Sequence, residues 1–533
     1  MDQLNPDSIN WALTHTLRFG DTDLFPIPFE YSAIAHARDE VSDELKKIDL
    51  TEYEGRPLRR FLVPKPQGGY RVAIQLDPLD TLIYTAMVYE AAEAIERQRM
   101  PSEQKIACSY RVEIDPTGQL FRKENGWPDF YMKCKELAES QDFSYVLTAD
   151  IADFYNQISH HRVRNALEIA GLSPDRARNT ERFLMNLTAL QSKGIPVGPS
   201  ASIVLSEACL SDVDMFLLRK GYTHTRYSDD IRIFCKSRSD ALRSLHDLSD
   251  YLYTSHRLTL QSSKTRILTT DGFIAIDLLD PEKLEENKKT QKLNDLIEKI
   301  KSEWTNWYTD FPEAAMLEDV ASQVSEKELN IARENLTELF DACITELPLN
   351  LGLARYILRR ATSLQTGVLQ NQVLGNLEAL APVMRDASKY LIKISRSSRS
   401  QEIGEKLTDF FDHSDVSFVP YLRLWITEIF IQKLAPKFGS SIYPLFEKTR
   451  EQLGVRPIAL LVRELKMLDW VREQKEVISN HGPWDKRAII WAASVLPRDE
   501  RGFWLKRVQN SGDFLDKITA SAVMAGIVHT SVK

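Results

Sequence analysis

Three aspartates stand where chemistry could happen. Asp150 closes the apolar run Tyr145-Val-Leu-Thr-Ala, and Asp229 and Asp230 sit side by side within Thr225–Phe234 (TRYSDDIRIF). Two β-rich runs flank that acid pair, as a tight hairpin requires. An acid at a strand end is exposed while its backbone is held rigidly, and neighbouring carboxylates crowd negative charge that cations relieve. Carboxylate oxygens are the ligands hard divalent ions prefer. Transfer of a nucleotidyl group uses two such ions about 3.5–4 Å apart, one activating the attacking hydroxyl and one stabilising the leaving pyrophosphate. One acid from a first strand and a pair from an adjacent hairpin would clamp both. Asp150 and Asp229 are expected to bridge two Mg²⁺ ions, with Asp230 as a weaker ligand and the carbonyl of Ile151 as a further oxygen. Mn²⁺ is the alternative ion. An Asp-Asp pair by itself is more often only a turn.

The segment between these acids adds to the case. Gly194–Glu207 reads GIPVGPSASIVLSE, a Gly/Pro/Ser stretch running into a helical pattern. Gly198 lets backbone approach a base or sugar closely, and the helix start after it presents free N–H groups. Upstream, Arg56, Arg59, Arg60, Lys65 and Arg71 place five cations in sixteen positions without an intervening acid, a local positive patch.

Elements able to hold these residues are legible in the patterning. Up to about residue 280, β-rich runs (Ser144–Leu147, Thr225–Phe234, Ile267–Ile276) alternate with helical stretches such as Leu79–Gln98, which predicts an α+β domain. Beyond it the strand signals stop and apolar residues recur at helical spacing, as in Leu293, Leu296, Ile297, Ile300 and Trp304. A boundary near 282 is expected, giving domains 1–281 and 282–533. Prolines 420, 457 and 497 recur at a spacing typical of paired-helix solenoid repeats, with an irregular bundle as the alternative. Ser395–Gln401 reads as a polar loop.

A chain of 533 residues exceeds one ordinary core. Hydrophobic and charged shares of 43% and 27% are those of a folded globular protein. A net charge of -8 argues against a protein that coats itself with nucleic acid non-specifically, though not against a local groove. Five scattered cysteines without a C-x-x-C spacing point away from disulfides and zinc sites and toward a reducing cytosol. No apolar stretch approaches membrane-spanning length and no basic segment leads into an apolar run at the start, so a cytoplasmic protein with no membrane partner is expected.

In order, these segments resemble motifs A, B and C of reverse transcriptases. Tyr227-Ser-Asp-Asp is similar to the family's Y-x-D-D box, Asp150-Ile-Ala-Asp-Phe-Tyr to motif A, and Gly194-Ile-Pro-Val-Gly-Pro-Ser to motif B, with Val197 where Gln is usual. The likeness covers roughly residues 55–270. It implies right-hand polymerase fingers and a ferredoxin-like palm. Phe61–Arg71 (FLVPKPQGGYR) resembles the fingers segment, which implies that Lys65 and Arg71 contact the incoming triphosphate. Leu260–Thr265 (LQSSKT) resembles motif D, which implies that Lys264 protonates the leaving pyrophosphate. Phe154 and Tyr155 fall at the nucleotide. Tyr155, five residues after Asp150, would lie under the sugar and collide with a 2′-hydroxyl, favouring deoxynucleoside triphosphates.

A palm followed by a long helical region in place of a conventional thumb is similar to bacterial abortive-infection and unknown-group defence reverse transcriptases. That resemblance implies a HEAT-like all-α second domain, a bacterial cytoplasmic enzyme acting against phage, single-stranded DNA as product, and a homo-oligomer, trimer or hexamer. It also implies synthesis without a template from a protein hydroxyl. The residues themselves leave the primer open, with Tyr31, Tyr53 and Tyr308 among the candidates. The alternatives are copying of a dedicated RNA template and a non-catalytic scaffold. The tryptophans of the second half, Trp425 and Trp504 among them, read first as helix-packing core and only second as base-stacking platforms.

Overall fold

The computed structural model describes residues 2–66, 68–122, 126–188, 191–278, 326–345, 348–396 and 398–527. The boundary expected near 282, Tyr308 and the Leu293–Trp304 period lie outside them. The chain divides into two compact units: residues 1–23, 39–59 and 74–285 form the first, and residues 24–38, 60–73 and 286–533 the second.

Short β-rich runs give six strands: β1 (Arg59–Pro64), β2 (Tyr70–Gln75), β3 (Tyr145–Asp150), β4 (Thr223–Tyr227), β5 (Asp230–Cys235) and β6 (Arg266–Thr269). β1 and β2 pair as a ribbon, and the others form an antiparallel sheet in the order β4-β5-β3-β6. Helices cross from β3 to β4 and from β5 to β6, which is the β-α-β-β-α-β order of the ferredoxin-like fold. β3 is central and buries Val146, Leu147, Thr148 and Ala149 in succession, so both of its faces are covered. Phe130, Cys134, Val146, Phe234 and Phe273 form the core on one side. On the other, the Arg238–Tyr251 helix lies on β3 and β5. All five cysteines are free and buried.

One expected strand is shorter than its pattern. Ile267–Ile276 keeps strand pairing only through Thr269, whose hydroxyl then caps a helical turn by accepting from the Gly272 N–H at 3.1 Å. The cap ends the ladder, a local competition that hydrophobic alternation does not register. Likewise, the polar loop expected over Ser395–Gln401 ends early, because a helix begins at Ser400.

Among the described residues after 326 the second unit is all helical. The helices Leu351–Ser363, Met384–Ile394 and Pro420–Ile429 pack in succession, as do Arg456–Leu465, Pro483–Ala492 and Phe514–Met524. Trp425 and Trp504 are buried in this packing. Residues 24–38 are tied into it by charge: the Glu30 carboxylate accepts from Arg456 at 2.8 and 2.7 Å and from Arg487 Nε at 3.0 Å. Phe29 stacks on Trp491 with centroids 4.9 Å apart. Burial alone would raise the Glu30 pKa, but the two guanidiniums outweigh it and hold it at about 2. No described helix is long and apolar enough to cross a membrane.

Candidate active site

β4 ends at Tyr227 and β5 begins at Asp230, so Ser228 and Asp229 make a two-residue hairpin turn. Ser228 takes a positive φ of 54°, the conformation such turns demand at the first position and one that a serine adopts only when held. Asp150 lies directly across from Asp230 in the register of β3 and β5, and the Ile151 N–H donates to the Asp229 carbonyl at 3.3 Å. On the far side of β3, the Gln261 N–H donates to the Asp150 carbonyl at 2.7 Å and brings the 260–265 loop beside it. The sheet thus unites acids nearly eighty residues apart in sequence.

Their electrostatics differ. Burial and the neighbouring Asp150 push the Asp229 carboxyl up to about 6. Burial also raises Asp230, although Arg232 pulls the other way, donating to its Oδ2 from Nη2 at 3.1 Å and pairing with its Oδ1. Lys264 Nζ donates to Asp150 Oδ1 at 2.9 Å and is itself 58% exposed. Among the described residues, no three His, Cys, Asp or Glu side chains gather closely enough to hold a metal ion by themselves. The donor set that suits a hard cation is Asp150 with Asp229: two oxygen ligands whose mutual repulsion is partly relieved by Lys264, which solvent can reach. Asp230 engages Arg232 in this arrangement.

The motif B loop docks on the turn after Asp150 through backbone. The Ile195 N–H donates to the Tyr155 carbonyl at 2.9 Å and the Gly194 N–H to the Ile158 carbonyl at 2.8 Å, while His160 Nε2 donates to the Gly194 carbonyl at 2.6 Å. Gly194 and Gly198 both take positive φ, 97° and 123°, which accounts for glycine at each. The loop feeds the Ser200–Arg219 helix, whose Ser206 hydroxyl donates to the Tyr155 hydroxyl at 3.2 Å. Tyr155 is half-buried beside Phe154, its ring edge-on at 5.7 Å.

Beneath the hairpin lies a charge network that the sequence reading did not single out. Arg226 is fully buried and bonds Asp214 from Nε and Nη2, each at 2.8 Å, and Glu207 from Nη1 at 2.8 Å. Glu207 also accepts from Arg99 at 2.8 Å and from the Ser109 hydroxyl at 2.5 Å. Ser109 Oγ accepts in turn from the Ser228 N–H at 2.8 Å, and Arg226 Nη1 donates to the Ser228 carbonyl at 3.3 Å. Both backbone groups of the strained turn residue are therefore fixed by this network. Burial opposes each charge, but the guanidiniums keep Asp214 at about 2 and Glu207 below its ordinary value. The only hint in sequence is Arg226 itself, a cation at a strand position that the flanking pattern marks as core.

The remaining candidates are more scattered. Lys65, just past β1, and Arg71, in β2, are exposed and belong to the second unit. Arg56 of the expected basic patch instead pairs with the buried Asp77 at 3.0 Å. Tyr31 is 2% exposed, and the Tyr53 hydroxyl donates to Asp80 at 2.5 Å.

A ferredoxin-like sheet carries one acid on its central strand and two at the neighbouring hairpin, with a Gly/Pro loop docked beside them, the arrangement expected of a polymerase palm. Residues 63–306 match the family model described as "Reverse transcriptase (RNA-dependent DNA polymerase)". The chain therefore carries a reverse-transcriptase domain, the domain of an RNA-directed DNA polymerase. No curated protein matches the sequence. Among solved structures, it is similar to telomerase from Candida albicans in complex with the TWJ fragment of telomeric RNA, at 12% identity and a TM-score of 0.30. The match covers 70% of this chain and 64% of that one.

Proposed function

We propose that the protein is a DNA polymerase that adds deoxynucleotides to a growing end at Asp150 and Asp229. The observation that carries this reading is the register of β3 and β5, which sets Asp150 opposite the Asp229-Asp230 hairpin in a domain matched to reverse transcriptases. Asp150 and Asp229 would hold the divalent cations, with Asp230 joining when Arg232 lets it go. Two bound magnesium ions would supply activation of the attacking hydroxyl and charge neutralisation at the pyrophosphate. The chain's own part is positioning: the buried network fixes the turn, Lys264 stands ready to give a proton to the departing phosphate, and Tyr155 forms the floor under the sugar.

The setting of this activity in bacterial antiphage defence, with a single-stranded DNA product and a trimeric or hexameric assembly, belongs to the same proposal. It is supported by the long helical second unit, whose successive packed helices start roughly thirty residues apart, near the period of paired-helix repeats. For protein priming, the burial of Tyr31 and the bonding of the Tyr53 hydroxyl to Asp80 move the search to other hydroxyls. The family match favours a second reading, in which the enzyme copies an RNA template.

One experiment separates them. Purified protein is incubated with Mg²⁺ and each labelled dNTP, alone or with an RNA template and DNA primer, and products are resolved before and after protease. Label released by protease establishes protein-primed, untemplated synthesis; incorporation only with template and primer establishes copying. No incorporation under either condition sinks the polymerase reading.

A further inference from the structure

The loop that carries Lys264 enters the site from the end of the Arg238–Tyr251 helix, and side chains outside the site tie that end down. The helix runs on through the turn Leu252–His256 and stops there. His256 is buried, its Nε2 3.0 Å from Asp212 Oδ1 and 3.2 Å from Arg162 Nη2, and Arg162 pairs with the other oxygen of Asp212. The Tyr251 hydroxyl bonds the same carboxylate. Its ring stacks on Phe216 with centroids 4.1 Å apart.

The chain after His256 is short and tightly held. Arg257 takes a φ of 57°, a left-handed conformation that a non-glycine residue keeps only where its surroundings impose it. Closure of the helix end imposes it: the Arg257 N–H donates to the Tyr253 carbonyl and the Leu258 N–H to the Leu252 carbonyl, each at 3.1 Å. The Thr259 carbonyl then accepts from the Ala152 N–H at 2.9 Å, ahead of the Gln261 bond to Asp150. Little slack is left between the buried histidine and the turn after Asp150.

The partners of His256 also lead back to the site. Arg162 lies on the His160–Ile169 helix, which follows the turn after Asp150, and Asp212 on the Ser200–Arg219 helix, which follows Gly198. Arg162 and Asp212 are 27% and 35% exposed and wall a cavity of about 680 Å³, so solvent screens the pair and its weight in folding is small. A screened pair set on a buried ring at the root of the loop fits a device that holds position.

We propose that Arg162, Asp212 and His256 are positioning residues that latch the start of the 257–265 loop and so keep Lys264 beside Asp150. The inference rests on the polymerase reading for what Lys264 does there. The latch itself is a matter of the loop alone.

The test uses the full chain. Hydrogen exchange is followed by mass spectrometry in peptides covering residues 257–265 and 145–150, without nucleotide. His256→Phe and Asp212→Ala should each speed exchange in 257–265 at least about tenfold and leave 145–150 unchanged. His256→Gln, which puts a polar atom back in the ring's place, should return the wild-type rate. Exchange in 257–265 unchanged within about twofold, or acceleration shared by both segments, overturns the latch. In incorporation assays His256→Phe should lower kcat roughly tenfold with little change in KM, and lower it no further in the Lys264→Met background. Losses that multiply, or a His256 effect where Lys264→Met has none, overturn the positioning of Lys264. A wild-type chain that incorporates nothing while its loop exchange responds to Asp212→Ala defeats the polymerase reading and keeps the latch.

Discussion

Lys264 Nζ donates to Asp150 Oδ1 across 2.9 Å, although the two residues are 114 positions apart in the chain. The ammonium thus holds an oxygen of Asp150 that a bound cation would need, and in the proposed reaction a metal there would free the lysine for the nucleotide's phosphates. Replacing Lys264 with Met is expected to lower kcat roughly a hundredfold, in the range of a lost general acid, while KM for dNTP moves much less. Pre-steady-state incorporation checks this, and equal changes in both constants would remove the proton-donor role.

Asp229 carries charge that burial and Asp150 oppose. Asp229→Asn should therefore raise the melting temperature without added metal while cutting incorporation about a thousandfold or more. The wild-type protein should gain thermal stability on addition of Mg²⁺ and the variant should not, since only the former couples ion binding to folding. A melting series with and without Mg²⁺ decides it.

Arg226 holds two buried carboxylates. Arg226→Met leaves Asp214 and Glu207 without their shared partner, at a cost of about 3–5 kcal/mol. Urea unfolding should show that loss, and a change under about 1 kcal/mol would mean the network is not structural.

Tyr155 is the proposed sugar gate. Tyr155→Ala should reduce the preference for dNTP over NTP by at least about tenfold, the scale of one lost steric contact. Competitive incorporation measures it, and an unchanged ratio would return Tyr155 to a packing role alone.

His15 makes stability depend on pH. Its Nδ1–H donates to the Gly118 carbonyl at 2.7 Å, and burial, helped by Arg18, lowers its pKa to about 4 against 6.5 for the exposed ring. The unfolded chain binds this proton first as pH falls, so the contribution is intact above 6.5 and is lost on descent toward 4. The loss amounts to about 3 kcal/mol at the lower end. His15→Phe should flatten that part of the stability curve.

The acids, the strand that ends on Asp150, the hairpin and the Gly/Pro loop were legible because each is a local pattern: β alternation broken by paired acids, and glycines where the backbone turns. The long Pro78–Gln98 helix was legible for the same reason, in the helical pattern expected over Leu79–Gln98. The length of β6 was not, since a single hydroxyl cap at Thr269 outcompetes strand pairing.

By itself, the sequence determined which residues could do chemistry and in what order the elements run, since types and spacing are properties of the chain. Only the tertiary structure decided what surrounds them. Arg99, Ser109, Glu207, Asp214 and Arg226 meet under one turn because helices and strands from distant segments converge there, and a buried ion has no periodicity to betray its partner. Glu30 joins Arg456 and Arg487, more than four hundred residues away, for the same reason: charge removed from water must find its counter-charge wherever packing puts it.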